Sequence, residues 1–90
     1  AEVEAALDAF PGVRSSAVIG LPDEDMGARL HAVIDRPDGP ADPKAMEAHL
    51  AERLVRYKVP KSFEYVDEPV RDDAGKVRRK ALREARLATS

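Results

Sequence analysis

The chain has 90 residues, a length that suits one small domain. It carries 15 Lys and Arg against 17 Asp and Glu, a formal net charge of −2, and this charge excludes a nucleic-acid or membrane-surface binder that needs a global positive field. The chain has no cysteine, so disulfide and thiolate chemistry are excluded and a reducing cytoplasm is compatible. Its longest apolar run, residues 17–21, is far shorter than the roughly 20 residues of a membrane helix, and we expect a cytoplasmic domain without a membrane span.

The first segment has the spacing of a short helix. Val3, Leu7 and Phe10 occur at i, i+4 and i+7, which places them on one helical face. The proline and glycine that follow disfavour any continuation of this helix. We therefore expect a packing helix over residues 2–9.

Two strands are expected next. The β-branched pair Val18 and Ile19 predicts a strand over residues 13–21, and residues 22–27 form the connection to a second strand over residues 29–35. In the second strand, one set of side chains alternates with another. The first set is Leu30, Ala32 and Ile34, and the second is Arg29, His31 and Val33.

A longer helix follows, which Asp42 is expected to cap and which has a proline at its first position. Apolar side chains at every fourth position, Met46, Leu50 and Leu54, predict its buried stripe. The helix should end before Pro60, because proline disfavours a helical residue in front of it.

A short strand over residues 63–66, a loop over 69–75 and a last helix over 77–87 complete the predicted order. The residues expected to face inward from the last helix are Val77, Ala81, Leu82 and Ala85. The predicted fold class is α+β, a small sheet of about three strands packed with helices.

A glycine turn presents Lys76 just before a basic stretch. Gly75 can adopt a positive φ without steric cost, and the two aspartates before it favour a loop. A long ammonium side chain on such a turn can reach a ligand held by another part of the protein. A P-loop is excluded, since it would need a glycine at Val70 and a hydroxyl residue at Val77. The alternative interpretation is a turn followed by a solvated basic helix.

The histidines and acidic residues predict no metal site. His31 and His49 have no second ligand at metal spacing, so we expect packing or surface roles, with His49 on the outer side of its helix. Residues 23–25 are consecutive acids on a loop, which are usually solvated. Tyr57 is expected to pack, with a proline after it that redirects the chain.

Five short motifs follow one another in a fixed order: EVEAAL at 2–7, FPGV at 10–13, AVIGLPDEDMG at 17–27, LVRYKVPK at 54–61 and GKVRR at 75–79. This series closely resembles the small C-terminal domain of the adenylate-forming superfamily, which includes acyl-CoA synthetases, the adenylation domains of peptide synthetases and firefly luciferase. The resemblance covers nearly the whole chain. It implies the mobile C-terminal domain of a two-domain ligase.

The resemblance implies a role for each of five residues. Lys76 is the expected catalytic residue of adenylation, Gly75 and Arg71 would support its turn, and Arg78 and Arg79 are candidate contacts to the nucleotide part of coenzyme A. ATP, Mg²⁺ and coenzyme A would be bound mainly with the N-terminal domain, and no metal ligand is expected here. The family's Pro, Thr and Ser/Thr before the lysine are replaced by Val70, Asp72 and Ala74, which weakens a phosphate-cradling role for the loop.

The resemblance also implies the domain organisation. The chain begins inside a motif, so residues 1–90 are expected to be one excised domain whose partner is the N-terminal adenylation domain of the same protein. The expected activity of the full-length protein is an ATP-dependent acyl-CoA synthetase of fatty acid metabolism, which joins a carboxylic acid to coenzyme A; the isolated domain should be inactive. The alternatives are a peptide-synthetase adenylation domain that acts on a carrier protein and, remotely, a small RNA-binding α+β module with its basic last helix.

Overall fold

The computed structural model describes residues 2–23, 27–71 and 79–88. Its elements are α1 Glu2–Asp8, β1 Ser15–Asp23, β2 Gly27–Asp35, α2 Pro43–Arg53, β3 Ser62–Val66 and α3 Arg79–Ala88, with one 3₁₀ turn at Arg56–Lys58. This order confirms the α+β fold class and the three-stranded sheet. Within the described ranges, no helix is both long and apolar enough to cross a membrane.

The sheet has the strand order β1-β2-β3. Strands β1 and β2 form an antiparallel hairpin in which Ser15 pairs with Asp35 at one end and Asp23 with Gly27 at the other. Strand β3 lies parallel to β2 on its other side, and α2 belongs to the crossover between them. Both hairpin strands reach further into the predicted 22–27 connection than expected. Pro22 fits there because β1 is an edge strand, where a missing N–H need not break the ladder.

Strand β2 is the central strand, and residues 31–35 are buried on both faces. Ala32 and Ile34 pack with apolar side chains of α1 and α2, whereas Val33 packs with β1, Val70 and partly buried leucines of α3. The predicted alternation therefore separates two apolar cores rather than a core face and a polar face. Helix α3 covers the second face, which makes the domain three layers thick.

Helix α2 supplies the predicted stripe, since Met46, Leu50 and Leu54 are all buried. The predicted cap is only partly right. Asp42 occupies the N-cap position, but its side chain makes no capping hydrogen bond, and its backbone carbonyl accepts the N–H of Met46 at 3.0 Å. The proline at the first position has no N–H to satisfy, which reduces the need for a side-chain cap.

The predicted inward face of α3 is right for Leu82 and wrong for the two alanines, and Val77 lies outside the described residues. Leu82 packs against the second core, and Arg86 on the next turn reaches β3. Ala81 and Ala85 are exposed and line the rim of a hollow beside Pro69 and Val70, so their inward placement was wrong. Their small side chains bury little area, and the leucine and arginine therefore decide the orientation.

Candidate functional site

Two of the predicted site residues lie at either side of segment 72–78, the stretch between the second and third described ranges. Arg71 immediately precedes it and Arg79 follows it as the first residue of α3. Lys76, Gly75 and Arg78 lie outside the described residues. The described part of the site therefore consists of the two arginines and the groups that bind them.

Arg71 is bound to the first helix. Its Nη2 donates to Oδ2 of Asp8, the last residue of α1, at 2.9 Å. The other oxygen of that carboxylate accepts the hydroxyl of Ser16 on β1 at 2.6 Å. Both side chains of the pair are partly exposed, at 40% for Arg71 and 30% for Asp8. Arg71 was expected to support the turn, and its observed partner is a carboxylate of α1.

Arg79 is bound to the same helix, one turn earlier. Its Nη2 pairs with Oε1 of Glu4, and Oε2 of Glu4 accepts the backbone N–H of Val18 at 2.9 Å. The Glu4 side chain is 4% exposed and that of Arg79 is 50% exposed. A contact between Arg79 and coenzyme A remains a prediction, and it would need this half-exposed guanidinium to share or leave Glu4.

The remaining arginines of α3 also have partners inside the domain. Nε of Arg83 donates to the carbonyl of Gly20 at 2.9 Å. Arg86 binds Glu64 through two nitrogens, at 3.0 and 2.5 Å. Lys80 is exposed. Because these arginines hold α3 to the sheet, the helix does not present the free basic face that the RNA-binding alternative needs.

The histidines pack, as predicted. His31 is 8% exposed, with Nδ1 at 2.7 Å from Oγ of Ser62 and Nε2 at 3.0 Å from Oε1 of Glu64. His49 lies against α1, with Nε2 at 2.6 Å from the carbonyl oxygen of Ala6 and its ring edge-on to Phe10. Its predicted place on the outer side of α2 was therefore wrong, because α1 covers that side of the helix.

Tyr57 does not pack. It lies on the 3₁₀ turn with 79% of its surface exposed, while Pro60 behind it is buried. Its neighbour Lys58 donates to Oε2 of Glu2 at 2.6 Å, and this hydrogen bond raises the pKa of Lys58. The tyrosine was expected to pack as part of a structural segment that ends at Pro60, but α2 ends before it and the 3₁₀ turn directs it outward.

The arrangement around segment 72–78 was not foreseen from the sequence. No role was predicted for Glu4 or Asp8, although their i, i+4 spacing places them on one face of the first helix. An available signal was the presence of one arginine on each side of the lysine segment. The first residues of the chain and the last helix thus meet at one carboxylate-lined face of α1.

The profile of the family described as "AMP-binding enzyme C-terminal domain" matches residues 2–76, which is most of the chain. The chain belongs to this family. As an AMP-binding enzyme C-terminal domain, it includes Lys76 at the end of the matched region.

Relatives of this domain are ligases. It is 45% identical over 85 residues to the 3-[(3aS,4S,7aS)-7a-methyl-1,5-dioxo-octahydro-1H-inden-4-yl]propanoyl:CoA ligase of Rhodococcus jostii, covering 93% of this chain and 16% of the relative. A Mycobacterium tuberculosis fatty acyl CoA synthetase structure matches with a TM-score of 0.84 and 34% identity, over 98% of this chain and 18% of that one. ATP-bound MatB from Rhodopseudomonas palustris matches with a TM-score of 0.79 and 39% identity, over 93% of this chain and 17% of that one. The domain spans less than a fifth of the length of these relatives.

The described residues differ in how well they fit the expected ligands. Across residues 2–23, 27–71 and 79–88, no three His, Cys, Asp or Glu side chains group as a metal site would require, so no step is assigned to magnesium here. For the phosphate groups of coenzyme A, the half-exposed guanidinium of Arg79 has the right chemistry.

Proposed function

We propose that the full-length protein is an ATP-dependent acid–thiol ligase of the acyl-CoA synthetase type, and that residues 1–90 are its small C-terminal domain beside a large N-terminal adenylation domain. The match of residues 2–76 to the family carries this proposal. The CoA ligase of Rhodococcus jostii, which is 45% identical over 93% of this chain, supports the proposal further. The absence of cysteine agrees with an enzyme of the reducing cytoplasm.

The proposed reaction has two steps. In the first, a carboxylate oxygen of the substrate attacks the α-phosphorus of ATP, and an acyl-adenylate forms as pyrophosphate leaves. In the second, the thiol of coenzyme A loses its proton and attacks the acyl carbon, and AMP leaves as the thioester forms. The acid pocket and most of the ATP site would belong to the N-terminal domain.

Lys76 would act in the first step. There an anionic carboxylate approaches an already anionic α-phosphate, so a positioned ammonium offsets the repulsion and stabilises the charge that develops in the transition state. Gly75 would give the turn its positive φ. Arg78 and Arg79 are proposed contacts to the phosphates of coenzyme A.

Two other functions have less support. A peptide-synthetase adenylation domain would transfer the acyl group to a carrier protein, whereas two of the relatives reported above are named for coenzyme A or acyl-CoA chemistry. A carrier protein stays the second candidate acceptor, because a relative from Streptomyces coeruleorubidus, 35% identical over 93% of the chain, is named a fatty acid–[acyl-carrier-protein] ligase. An RNA-binding module would need a free basic helix, and three arginines of α3 are already bound to Glu4, Gly20 and Glu64.

The direct test uses the purified full-length protein with ATP, magnesium, coenzyme A and a panel of carboxylic acids. We expect pyrophosphate release that depends on the acid, and thioester formation that depends on both the acid and coenzyme A. Hydroxylamine should trap the acyl group as a hydroxamate when coenzyme A is omitted. The isolated 90-residue chain should release no pyrophosphate, since it lacks an acid pocket; turnover by the pure chain, or no acid-dependent release by the full-length protein, would contradict the proposal.

A further inference from the structure

Side chains bind the backbone along the outer edge of β1. Among the described strands, β1 lies at the end of the sheet with β2 as its neighbour. Residues two apart on a strand turn their backbone groups to the same edge. Oε2 of Glu4 accepts the N–H of Val18 at 2.9 Å, and Nε of Arg83 donates to the carbonyl of Gly20 at 2.9 Å. Both bonds lie on the edge that faces away from β2.

Pro22 completes this edge. It is two residues beyond Gly20 on β1, so its backbone also faces outward. Its carbonyl accepts Nη1 of Arg29 at 2.8 Å, and proline has no N–H to offer to another strand. The edge therefore has a donor bound at Val18, acceptors bound at Gly20 and Pro22, and no donor at Pro22.

The side chains that cover the edge come from both faces of the sheet. Helix α1 packs on one face through Leu7, and α3 packs on the other through Leu82. Arg79 of α3 pairs with Glu4 of α1, so the two helices are joined around the edge of β1. Glu4 is only 3% exposed. An incoming strand would have to displace Glu4 and Arg83 before it could reach the backbone.

The covered strand has the composition of one that pairs readily. Residues 15–21 read Ser-Ser-Ala-Val-Ile-Gly-Leu, with no charged residue and no proline. An uncharged segment of this kind on an open sheet edge is a template for pairing with another chain. A second copy of the chain offers the same edge, and two identical edges can pair about a two-fold axis.

We propose that Glu4, Arg83 and Pro22 close the outer edge of β1 against pairing with β1 of a second copy of this chain. Glu4 occupies a donor, Arg83 occupies an acceptor, and Pro22 withholds a donor. A second copy that met this edge would leave its own backbone groups unpaired, and an unpaired group that is removed from water is costly. Loss of these side chains opens the edge.

The first test uses the 90-residue chain with Arg83→Ala, Pro22→Thr and the two combined. Both side chains are exposed, so the two apolar cores stay intact, and circular dichroism verifies the fold. Lys80→Ala is the matched control, because it removes the same charge from an exposed position one turn earlier on α3. Sedimentation equilibrium from about 10 µM to about 1 mM, a range that detects weak pairing, gives the weight-average mass.

The combined variant should associate toward two copies, with an association constant at least about 10-fold above that of the wild type. Wild type and Lys80→Ala should stay at one copy. Addition of Gly20→Pro should return the combined variant to one copy, because it removes the outward N–H of Gly20. A combined variant that stays folded and monomeric would overturn the proposal, as would wild-type association of equal strength.

Two other outcomes would also overturn it. Association that survives Gly20→Pro, or that grows beyond two copies, would use a different surface. Association that appears only with loss of the helical circular dichroism signal would come from unfolded chains.

A second pair of variants tests the bound donor. Glu4→Gln keeps an amide oxygen that can accept the N–H of Val18, whereas Glu4→Ala removes the acceptor, and both lose the charge that faces Arg79. Glu4→Ala should therefore associate while Glu4→Gln stays at one copy. Equal association of the two variants would show that the ion pair, and not the covered backbone, keeps the chain monomeric, and the proposed role of Glu4 would be wrong.

Discussion

Removal of the Asp35 carboxylate should cost the domain a large share of its stability. Asp35 ends β2 with no exposed surface, and it accepts Nε of Arg14 at 2.6 Å, Nη2 of Arg14 at 2.9 Å and the hydroxyl of Ser15 at 3.0 Å. The Ser15 oxygen in turn accepts the N–H of Val70 at 3.2 Å. Asp35→Ala therefore breaks a network that joins β1, β2 and the chain before segment 72–78.

The magnitude follows from the burial of each partner. Loss of one member of a buried ion pair typically costs about 3–5 kcal/mol because the other charge is left uncompensated. The Arg14 side chain is 50% exposed and can be rehydrated, so the lower figure, about 3 kcal/mol, applies to Asp35→Ala. A domain of this size is stable by only about 5–13 kcal/mol.

Urea unfolding of the 90-residue chain, followed by circular dichroism, measures this loss. With an m value of about 1 kcal/mol per molar, the midpoint should fall by about 3 M. Asp38→Ala is the control, because Asp38 is exposed in the turn after β2 and should change stability by less than about 0.5 kcal/mol. A loss below about 1 kcal/mol for Asp35→Ala would refute the view that this network is a main support of the sheet.

Two further predictions concern stability. Gly12 has a φ of +85°, and a Cβ there would lie 3.0 Å from Nε of Arg36. Gly12→Ala should therefore lower the free energy of unfolding by about 1–3 kcal/mol. Gly20→Ala is the control, since Gly20 has open space around it and no positive φ, and it should cost less than about 0.5 kcal/mol in the same urea measurement. Hydrogen bonds from Arg86 lower the pKa of Glu64, so its contribution is present above the unfolded pKa of about 4.3 and is lost as the pH falls through the folded value. The stability difference between wild type and Glu64→Gln should accordingly be larger at pH 7 than at pH 3, and a difference that is the same at both pH values would contradict the pairing.

The sequence predicted the elements whose signals are local. The fourfold spacing of Met46, Leu50 and Leu54 identified α2 and its buried face, because a long apolar stripe of helical period has no competing interpretation. The short helix α1 and the three strands were found in the same way. Their ends were less accurate, since strand ends depend on partners rather than on the residues themselves.

Other features depend on contacts between distant parts of the chain. Glu4 and Arg79 are 75 residues apart, so neither periodicity nor composition could join them. The orientation of α3 followed the larger Leu82 and Arg86 rather than the alanines, and the exposure of Tyr57 depends on where α2 ends. For the site itself, the resemblance identified Lys76, whereas the carboxylates that bind its flanking arginines were found only in the structure.

The most direct measurement of the central claim is the effect of Lys76→Ala on the two half-reactions of the full-length enzyme. Acyl-adenylate formation should slow by about 10²-fold or more, the scale of losing one preorganised electrostatic contact, and thioester formation from supplied acyl-adenylate should change little. Lys76→Arg should rescue poorly, because a planar guanidinium does not replace a compact ammonium. Lys80→Ala removes the same charge from α3 and should leave adenylation nearly intact. Equal damage by Lys80→Ala, or equal loss of both half-reactions in Lys76→Ala, would contradict the assigned role of Lys76.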